Sequence, residues 1–75
     1  MKIDRVQWVA VRRADDAVYS GRQDLYDFRT PDELGNLPIK YYQTAYQAVS
    51  RAAAATGLRP GEVVARMARE TVEIM

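Results

Sequence analysis

The sequence predicts an α+β fold in which an N-terminal β-hairpin region (residues 3–28) packs on a C-terminal two-helix unit (residues 31–75) within one domain of 75 residues. Three observations support this prediction. Short β-branched runs separated by polar turns occupy the first third of the chain. Apolar residues then recur at spacings of three and four, as on one face of a helix. A glycine and a proline near residue 60 interrupt this pattern, which indicates that a second helix follows.

The hairpin region is predicted from three apolar segments. Residues 6–11 form a nearly continuous β-branched run, typical of a strand that is covered on both faces. The two aspartates at 15–16 suit a turn, after which residues 17–20 resume a strand pattern. Gly21 indicates a bulge or the end of that strand. Residues 25–28 either continue the strand or form a third one.

The helical region begins with a capping box at residues 30–33, Thr-Pro-Asp-Glu, which allows about one helical turn. A long helix is predicted over residues 39–55, with Asn36 as its cap and Gly57 at its C-terminal end. Pro60 opens the second helix. The core-facing side of the long helix is predicted to comprise Ile39, Tyr42, Tyr46, Val49 and Ala53. The apolar side of the second helix is predicted to comprise Val63, Val64, Met67, Ala68, Val72 and Ile74.

Composition limits the classes of function. The formal net charge is +1, so there is no bulk attraction to nucleic acid or to an anionic membrane. The chain contains no cysteine and no histidine, which excludes disulfides and makes a metal site improbable, and we expect no cofactor. A domain of this size buries only about 60–65% of its unfolded surface. Self-association or a partner protein is therefore expected to supply further stability.

Localisation is expected to be cytoplasmic, without membrane contact. No apolar run approaches the roughly 18 residues that span a bilayer, and residues 1–5 lack the pattern of a signal peptide. The preference for arginine over lysine and the abundance of alanine suggest a GC-rich coding genome, prokaryotic or phage.

Enzymatic activity is not expected. General acid–base and nucleophilic catalysis most often use histidine, cysteine or an activated serine. Ser20 and Ser50 have no imidazole to activate them. The carboxylate clusters, at residues 15–16 and at Asp24 and Asp27, fall in predicted surface turns beside arginines. Solvated, charge-balanced turns explain these acids better than a paired-carboxylate site does.

The octapeptide Thr56-Gly57-Leu58-Arg59-Pro60-Gly61-Glu62-Val63 resembles the box that carries the first catalytic arginine of tyrosine recombinases. The resemblance would give Arg59 that role and covers eight residues of the chain. The family also needs a downstream His/Arg box and a tyrosine nucleophile, and neither histidine nor tyrosine follows Val63. A helix-ending glycine, a turn leucine and a helix-opening proline explain the same residues, so a recombinase is not expected.

The feature most suggestive of function is a second apolar line on the predicted long helix. Its small residues would allow another helix to approach closely, and tyrosine is enriched at interfaces. The sequence therefore predicts a non-enzymatic protein-binding module, acting as an adaptor, a subunit or an inhibitor (a phage or mobile-element inhibitor of a host protein is one version), and also a homodimer through this helix. Whether the line is an interface or internal core stays open. Its predicted partner-binding residues are Tyr41, Tyr42, Ala45, Ala48 and Ala52, followed by Ala55.

A small dimeric DNA-binding transcriptional regulator is the alternative. A helix-turn-helix around Gly57 would place Glu62 near phosphate, where it repels. In a ribbon-helix-helix dimer, residues 6–11 would be too apolar to read a groove. Nucleic-acid binding is therefore the less favoured prediction. Its candidate contacts are Arg12, Arg13, Arg51 and Arg59.

Overall fold

The computed structural model describes the backbone of residues 2–73 and the side chains of residues 5–69. Five antiparallel strands form one sheet with a single long helix, and this confirms the α+β class. A 3-10 turn, Pro60–Glu62, follows the long helix. In chain order the elements are β1 (Lys2–Arg12), β2 (Val18–Arg22), β3 (Leu25–Arg29), α1 (Pro31–Leu34), β4 (Tyr41–Tyr42), α2 (Ala45–Thr56) and β5 (Val63–Glu73).

Strand β1 is the centre of the sheet. On one edge it pairs with β5 over its whole length, from Lys2 opposite Glu73 to Arg12 opposite Val63. On its other edge it pairs with β2 at residue 11 and with β4 at residues 8 and 9. Beyond that point the other edge of β1 has no strand partner within the described residues. We call this two-stranded extension, residues 2–7 paired with residues 68–73, the ribbon.

The predicted hairpin region is confirmed, and it contains three separate strands. In the turn between β1 and β2, the backbone N–H of Arg12 donates to the carbonyl of Ala17 at 2.7 Å, and Asp16 has φ of 56°. A two-residue turn joins β2 to β3 through Gln23 and Asp24, both with positive φ. Positive φ at both central residues matches the right-handed twist of the strands that such a turn joins.

The main core lies between α2 and the face of the sheet that carries Ala10 and Tyr19. Side chains alternate between the two faces of a sheet, and directly paired residues share one face. Val9 and Val11 have the opposite orientation and are also buried, but on the other face. Trp8 and Ala65 are half-buried at the margin of the core. The core cluster comprises Ala10, Ala17, Tyr19, Phe28, Tyr42, Ala48, Ala52, Ala53 and Val63.

The predicted second helix is wrong, because the segment after Pro60 forms β5. Three Glu–Arg pairs at helical spacing favour a helix there, but each contributes only about 0.2–0.5 kcal/mol. An eleven-residue ladder with β1 satisfies the backbone groups that point towards β1, and Val63 is buried against the core. Valine and threonine are also enriched in strands. Long-range pairing therefore overrides the local helical pattern.

The predicted start of the long helix is also wrong. Residues 39–42 are extended: Ile39 bridges to Ser20 of β2, and Tyr42 pairs with Trp8 of β1. The helix starts at Ala45, capped by Thr44, whose hydroxyl oxygen accepts from the N–H of Gln47 at 3.1 Å. Residues 39–42, predicted as helix, contact β1 and β2 instead.

The predicted end of the long helix and the predicted one-turn helix are both confirmed. Gly57 ends α2 in the left-handed conformation, with φ of 75°. The capping box of α1 is formed, with the backbone N–H and the hydroxyl of Thr30 both donating to the Glu33 carboxylate at 3.1 and 2.8 Å. Both features depend on residues a few positions apart, so the sequence predicts them directly.

Candidate functional site

The apolar line predicted for partner binding is divided between core and surface. Ala48 and Ala52 are fully buried against the sheet, and Tyr42 is buried beside them. Tyr41 and Ala45 are half-buried, and Ala55 is exposed. Ala48 and Ala52, which were predicted to face a partner, therefore face the core of the protein itself. Tyr46, predicted to face the core, is 80% exposed.

The four arginines of the DNA-binding alternative lie on different segments of the fold. Arg12 is held by Asp15, with Nε to Oδ1 at 2.9 Å and Nη2 to Oδ2 at 2.7 Å. Arg13 is exposed, and its backbone N–H donates to the carbonyl of Glu62 at 2.8 Å. Arg51 lies on α2, close enough to Tyr42 to affect its pKa. Arg59 is exposed before the 3-10 turn.

A cavity of about 220 Å³ lies at the end of β1 that is opposite the ribbon. Arg12, Arg13 and Ala14 line one side, and Leu58, Gly61 and Glu62 line the other. The guanidinium of Arg12 is already bound to Asp15. Arg13 and Glu62 place opposite charges on the same cavity, so it has no single-sign field for an ionic ligand.

An aromatic cluster on the helix-covered face of the sheet includes a lysine. Lys40 Nζ lies 5.3 Å from the ring centre of Tyr26 and 5.8 Å from that of Tyr42, within range of cation–π attraction. Tyr19 contacts Tyr26 and Phe28, with ring centres 5.8 and 5.3 Å apart. Burial raises the pKa of Tyr19 and Tyr42, which keeps both phenols protonated. Tyr19, Phe28 and Tyr42 of this cluster belong to the buried core.

Neither metal binding nor membrane spanning is indicated by the described part of the chain. Among residues 2–73, no group of three or more acidic side chains is placed to hold a metal ion. Within the same residues, no helix combines the length and the apolar character needed to cross a bilayer.

The outer edge of β5 is an open edge of the sheet within the described residues. β5 pairs only with β1, so its other edge has no strand partner along residues 63–73, within the described chain. On such an edge every second residue directs its N–H and C=O groups outward. An eleven-residue edge can add another strand by main-chain hydrogen bonds.

An apolar patch lies beside this edge, at the base of the ribbon. Trp8 and Met67 are directly opposite each other, and Val6 is the diagonal neighbour of Met67 on the same face. Met67 is 67% exposed and Val6 is 63% exposed, whereas Trp8 is half-buried. We call Val6, Trp8 and Met67 the apolar patch. A large exposed apolar group beside an open edge is typical of an interaction surface.

Sequence reasoning missed both the open edge and the apolar patch because it placed residues 63–73 in a helix. Two features of the sequence indicate that this segment is a strand paired with β1. β-Branched residues occur at both ends of the segment, and its acidic residues are complementary in charge to basic residues near the start of β1. In the sheet, Lys2 stands opposite Glu73 and Arg5 stands opposite Glu70.

No protein-family model matches this chain, and neither a curated protein nor a solved structure matches it.

Proposed function

We propose that this chain is a small non-enzymatic protein-binding module that covers a partner surface with β5 and the apolar patch. The observation that carries the proposal is the eleven-residue outer edge of β5, which has no strand partner among the described residues. An extended partner strand would satisfy the outward backbone groups of β5, and side chains alternating along both strands would provide specificity.

The apolar patch supports the same surface. Met67 lies on β5 itself, so a strand added along the edge would cover part of its side chain. Burial of apolar area contributes about 25 cal/mol per Å². The backbone edge and the patch would therefore act together on one partner, in the manner of an adaptor, a subunit or an inhibitor.

Charged residues on β5 support selective rather than indiscriminate pairing. Arg66 and Arg69 are both exposed. Charges on an edge strand discourage pairing with arbitrary strands, because a charge that such pairing buries needs an opposite charge nearby. Arg66 Nη2 lies 3.6 Å from Asp16 Oδ1 of its own chain, so Arg69 is the residue for which a partner would supply that charge. The edge is thus selective for a strand whose charge pattern complements it.

The experiment compares two exposed apolar residues that differ in position. Met67→Arg places a charge on the patch, and Leu25→Arg places one at the end of the β2–β3 hairpin, where Leu25 is 74% exposed. Each tagged variant and the original chain are used to capture proteins from the native host, and self-association is measured by sedimentation. We expect Met67→Arg to lose association and Leu25→Arg to retain it. Equal retention or equal loss in both variants would contradict the proposal.

A further inference from the structure

We infer that the strand added to the β5 edge is the β5 of a second copy of this chain, in an antiparallel pair centred on Ala68. This inference rests on the proposed function and names its partner. The product is a two-fold symmetric dimer whose two five-stranded sheets form one continuous sheet. Isologous pairing of this kind is the commonest form of a homodimer.

Symmetry restricts the possible registers. Two antiparallel strands related by a two-fold axis have that axis perpendicular to the sheet, so side chains on one face stay on that face. Because side chains alternate along a strand, a residue can then stand only opposite a residue of the same parity. The axis must therefore pass through a residue facing its own copy, never between two residues.

The described extent of β5 favours Ala68 as that residue. The described residues of β5 run from Val63 to Glu73, and the middle one of these is Ala68. With the axis at Ala68, Val63 stands opposite Glu73 of the second copy and all eleven described residues are paired. Every other centre leaves some of these eleven residues unpaired, and so leaves more of their backbone groups without a strand partner.

The charge pattern favours the same centre. With the axis at Ala68, Arg66 stands opposite Glu70 of the second copy, and symmetry makes this pair twice. A centre at Met67 places Arg66 opposite Ala68. A centre at Arg69 places that arginine opposite its own copy, which is repulsive. Opposite charges directly across a sheet stabilise pairing and like charges destabilise it.

In the dimer, β1 and β5 of each copy are the four central strands of the continuous sheet. Residues that stand opposite one another across these strands form rows, and the residues within a row are chemically compatible. In each chain, Val11 stands opposite Val64, and Ile3 stands opposite Val72. With the axis at Ala68, Val64 stands opposite Val72 of the second copy, which completes a row of four β-branched apolar residues. Similarly, Arg5 stands opposite Glu70 in each chain, so each Glu70 lies in a row between two arginines.

The accessible surface of the chain is large enough to include an interface of standard size. The accessible surface of the chain is 5448 Å², whereas a compact monomer of 8.5 kDa exposes about 4,700 Å². The excess of about 750 Å² is close to the roughly 800 Å² that each partner contributes to a standard interface. The elongated shape, 39 × 25 × 20 Å, reflects the extension of the ribbon.

Charge reversal tests the register. Arg66→Glu places two pairs of like charges across the axis, and we expect the dissociation constant of the dimer to rise at least about tenfold in sedimentation equilibrium. Arg69→Glu makes the same change of charge and is the control for it, because Arg69 stands opposite Met67 of the second copy. Arg66→Glu also removes the contact of Arg66 with Asp16 of its own chain, 3.6 Å away, and the mixing experiment below separates that effect. We expect it to leave the dimer within about twofold of the original chain. Equal weakening by both variants would overturn the register.

A mixing experiment removes the ambiguity of a variant that folds poorly. Arg66→Glu and Glu70→Arg each place like charges together in their own dimers, but a mixed dimer of the two restores both opposite-charge pairs. We expect the mixture to associate at least about tenfold more tightly than either variant alone. Circular dichroism of each variant verifies that the sheet is intact. Absence of this gain in two folded variants would overturn the inference.

Cysteine trapping tests the axis directly, since the chain has no cysteine of its own. Paired residues in an antiparallel sheet have Cα atoms about 4.5–5.5 Å apart, within the 4.4–6.8 Å range of disulfides. We expect Ala68→Cys to form a covalent dimer under mild oxidation and Met67→Cys, displaced from its copy by two residues, to form little. Equal trapping of both variants would contradict the centre at Ala68.

The failure of this inference differs from the failure of the proposed function. A chain that stays monomeric, gives no Ala68→Cys dimer and still captures a host protein in a Met67-dependent manner would overturn the second copy as partner but retain the module. A monomeric chain whose capture is independent of Met67 would overturn both.

Discussion

Trp8 of β1 and Met67 of β5 lie directly opposite each other in the sheet, at the point where the burial of the β1–β5 pair ends. Towards one end of the two strands, Ala10 and Val63 are buried beneath α2. Towards the other end, Val6 and Met67 are largely exposed. The β1–β5 pair therefore has one half that is buried in the core and one half that is largely exposed. The boundary between them lies at Trp8, the only tryptophan of the chain.

This boundary predicts a difference in stability between two truncations on the same strand. Val63→Ala removes a buried side chain and is expected to lower the free energy of unfolding by about 2 kcal/mol. Met67→Ala removes an exposed one and is expected to cost less than about 1 kcal/mol in the dissociated chain. Urea denaturation of the monomer at low protein concentration, followed by tryptophan fluorescence, measures both. A larger cost for Met67→Ala would show that Met67 packs within the monomer.

Acid is expected to destabilise the β1–β2 turn. A hydrogen bond from Arg12 holds the pKa of Asp15 below its usual range. Because the folded pKa is the lower one, the resulting stabilisation is present above the unfolded pKa, about 3.9, and is lost as the pH falls through the folded pKa. The hydrogen bonds from Thr30 act in the same direction on Glu33.

The measurement is the urea midpoint at pH 6 and at pH 3 for the original chain, Asp15→Asn and Glu33→Gln. Each substitution removes one titrating carboxyl, so we expect a smaller decrease in the midpoint between the two pH values in each variant than in the original chain. An undiminished decrease in Asp15→Asn would show that this ion pair does not contribute to the acid sensitivity of the fold.

Two glycines are expected to respond oppositely to substitution by alanine. A Cβ at Gly21 would overlap the backbone carbonyl of Leu25, across the β2–β3 hairpin. Backbone atoms cannot move aside cheaply, so Gly21→Ala should cost about 2 kcal/mol or more. Gly61→Ala meets no atom within 4 Å and should be neutral or stabilise by up to about 1 kcal/mol. Thermal denaturation of both variants decides this, and a tolerated Gly21→Ala would mean that the two strands lie further apart.

The start of α2 predicts the response of two candidate cap residues. Thr44→Ala removes the acceptor for the N–H of Gln47 and should lower the free energy of unfolding by about 1 kcal/mol. Thr44→Ser retains the acceptor and is the control. Asn36 is exposed and outside any helix, so Asn36→Ala should change stability by less than about 0.5 kcal/mol. A large effect at Asn36 alone would favour the longer helix that the sequence predicts.

Much of the local structure was predictable because its causes lie within a few residues. The capping box at Thr30, the strands of the hairpin region and the end of α2 at Gly57 all follow from short patterns. The face that α2 turns towards the sheet was not predictable in this way. Tyrosines 41, 42 and 46 continue a helical spacing, but Tyr41 and Tyr42 form β4 beside β1, and Ile39 bridges to Ser20 of β2. The helix therefore turns Ala48 and Ala52 towards the sheet and leaves Tyr46 outside.

The sequence by itself determined the α+β class, the hairpin region, the capping box at Thr30 and the end of the long helix at Gly57, because these depend on local backbone preferences. Only the tertiary structure decided the state of residues 63–73. Their Glu–Arg spacing suits a helix and their β-branched ends suit a strand, so local preferences point in both directions. These residues form a strand because β1, which is distant in the sequence, pairs with them residue by residue. The same long-range pairing leaves the outer edge of β5 open, within the described chain, and so creates the surface proposed to bind a partner.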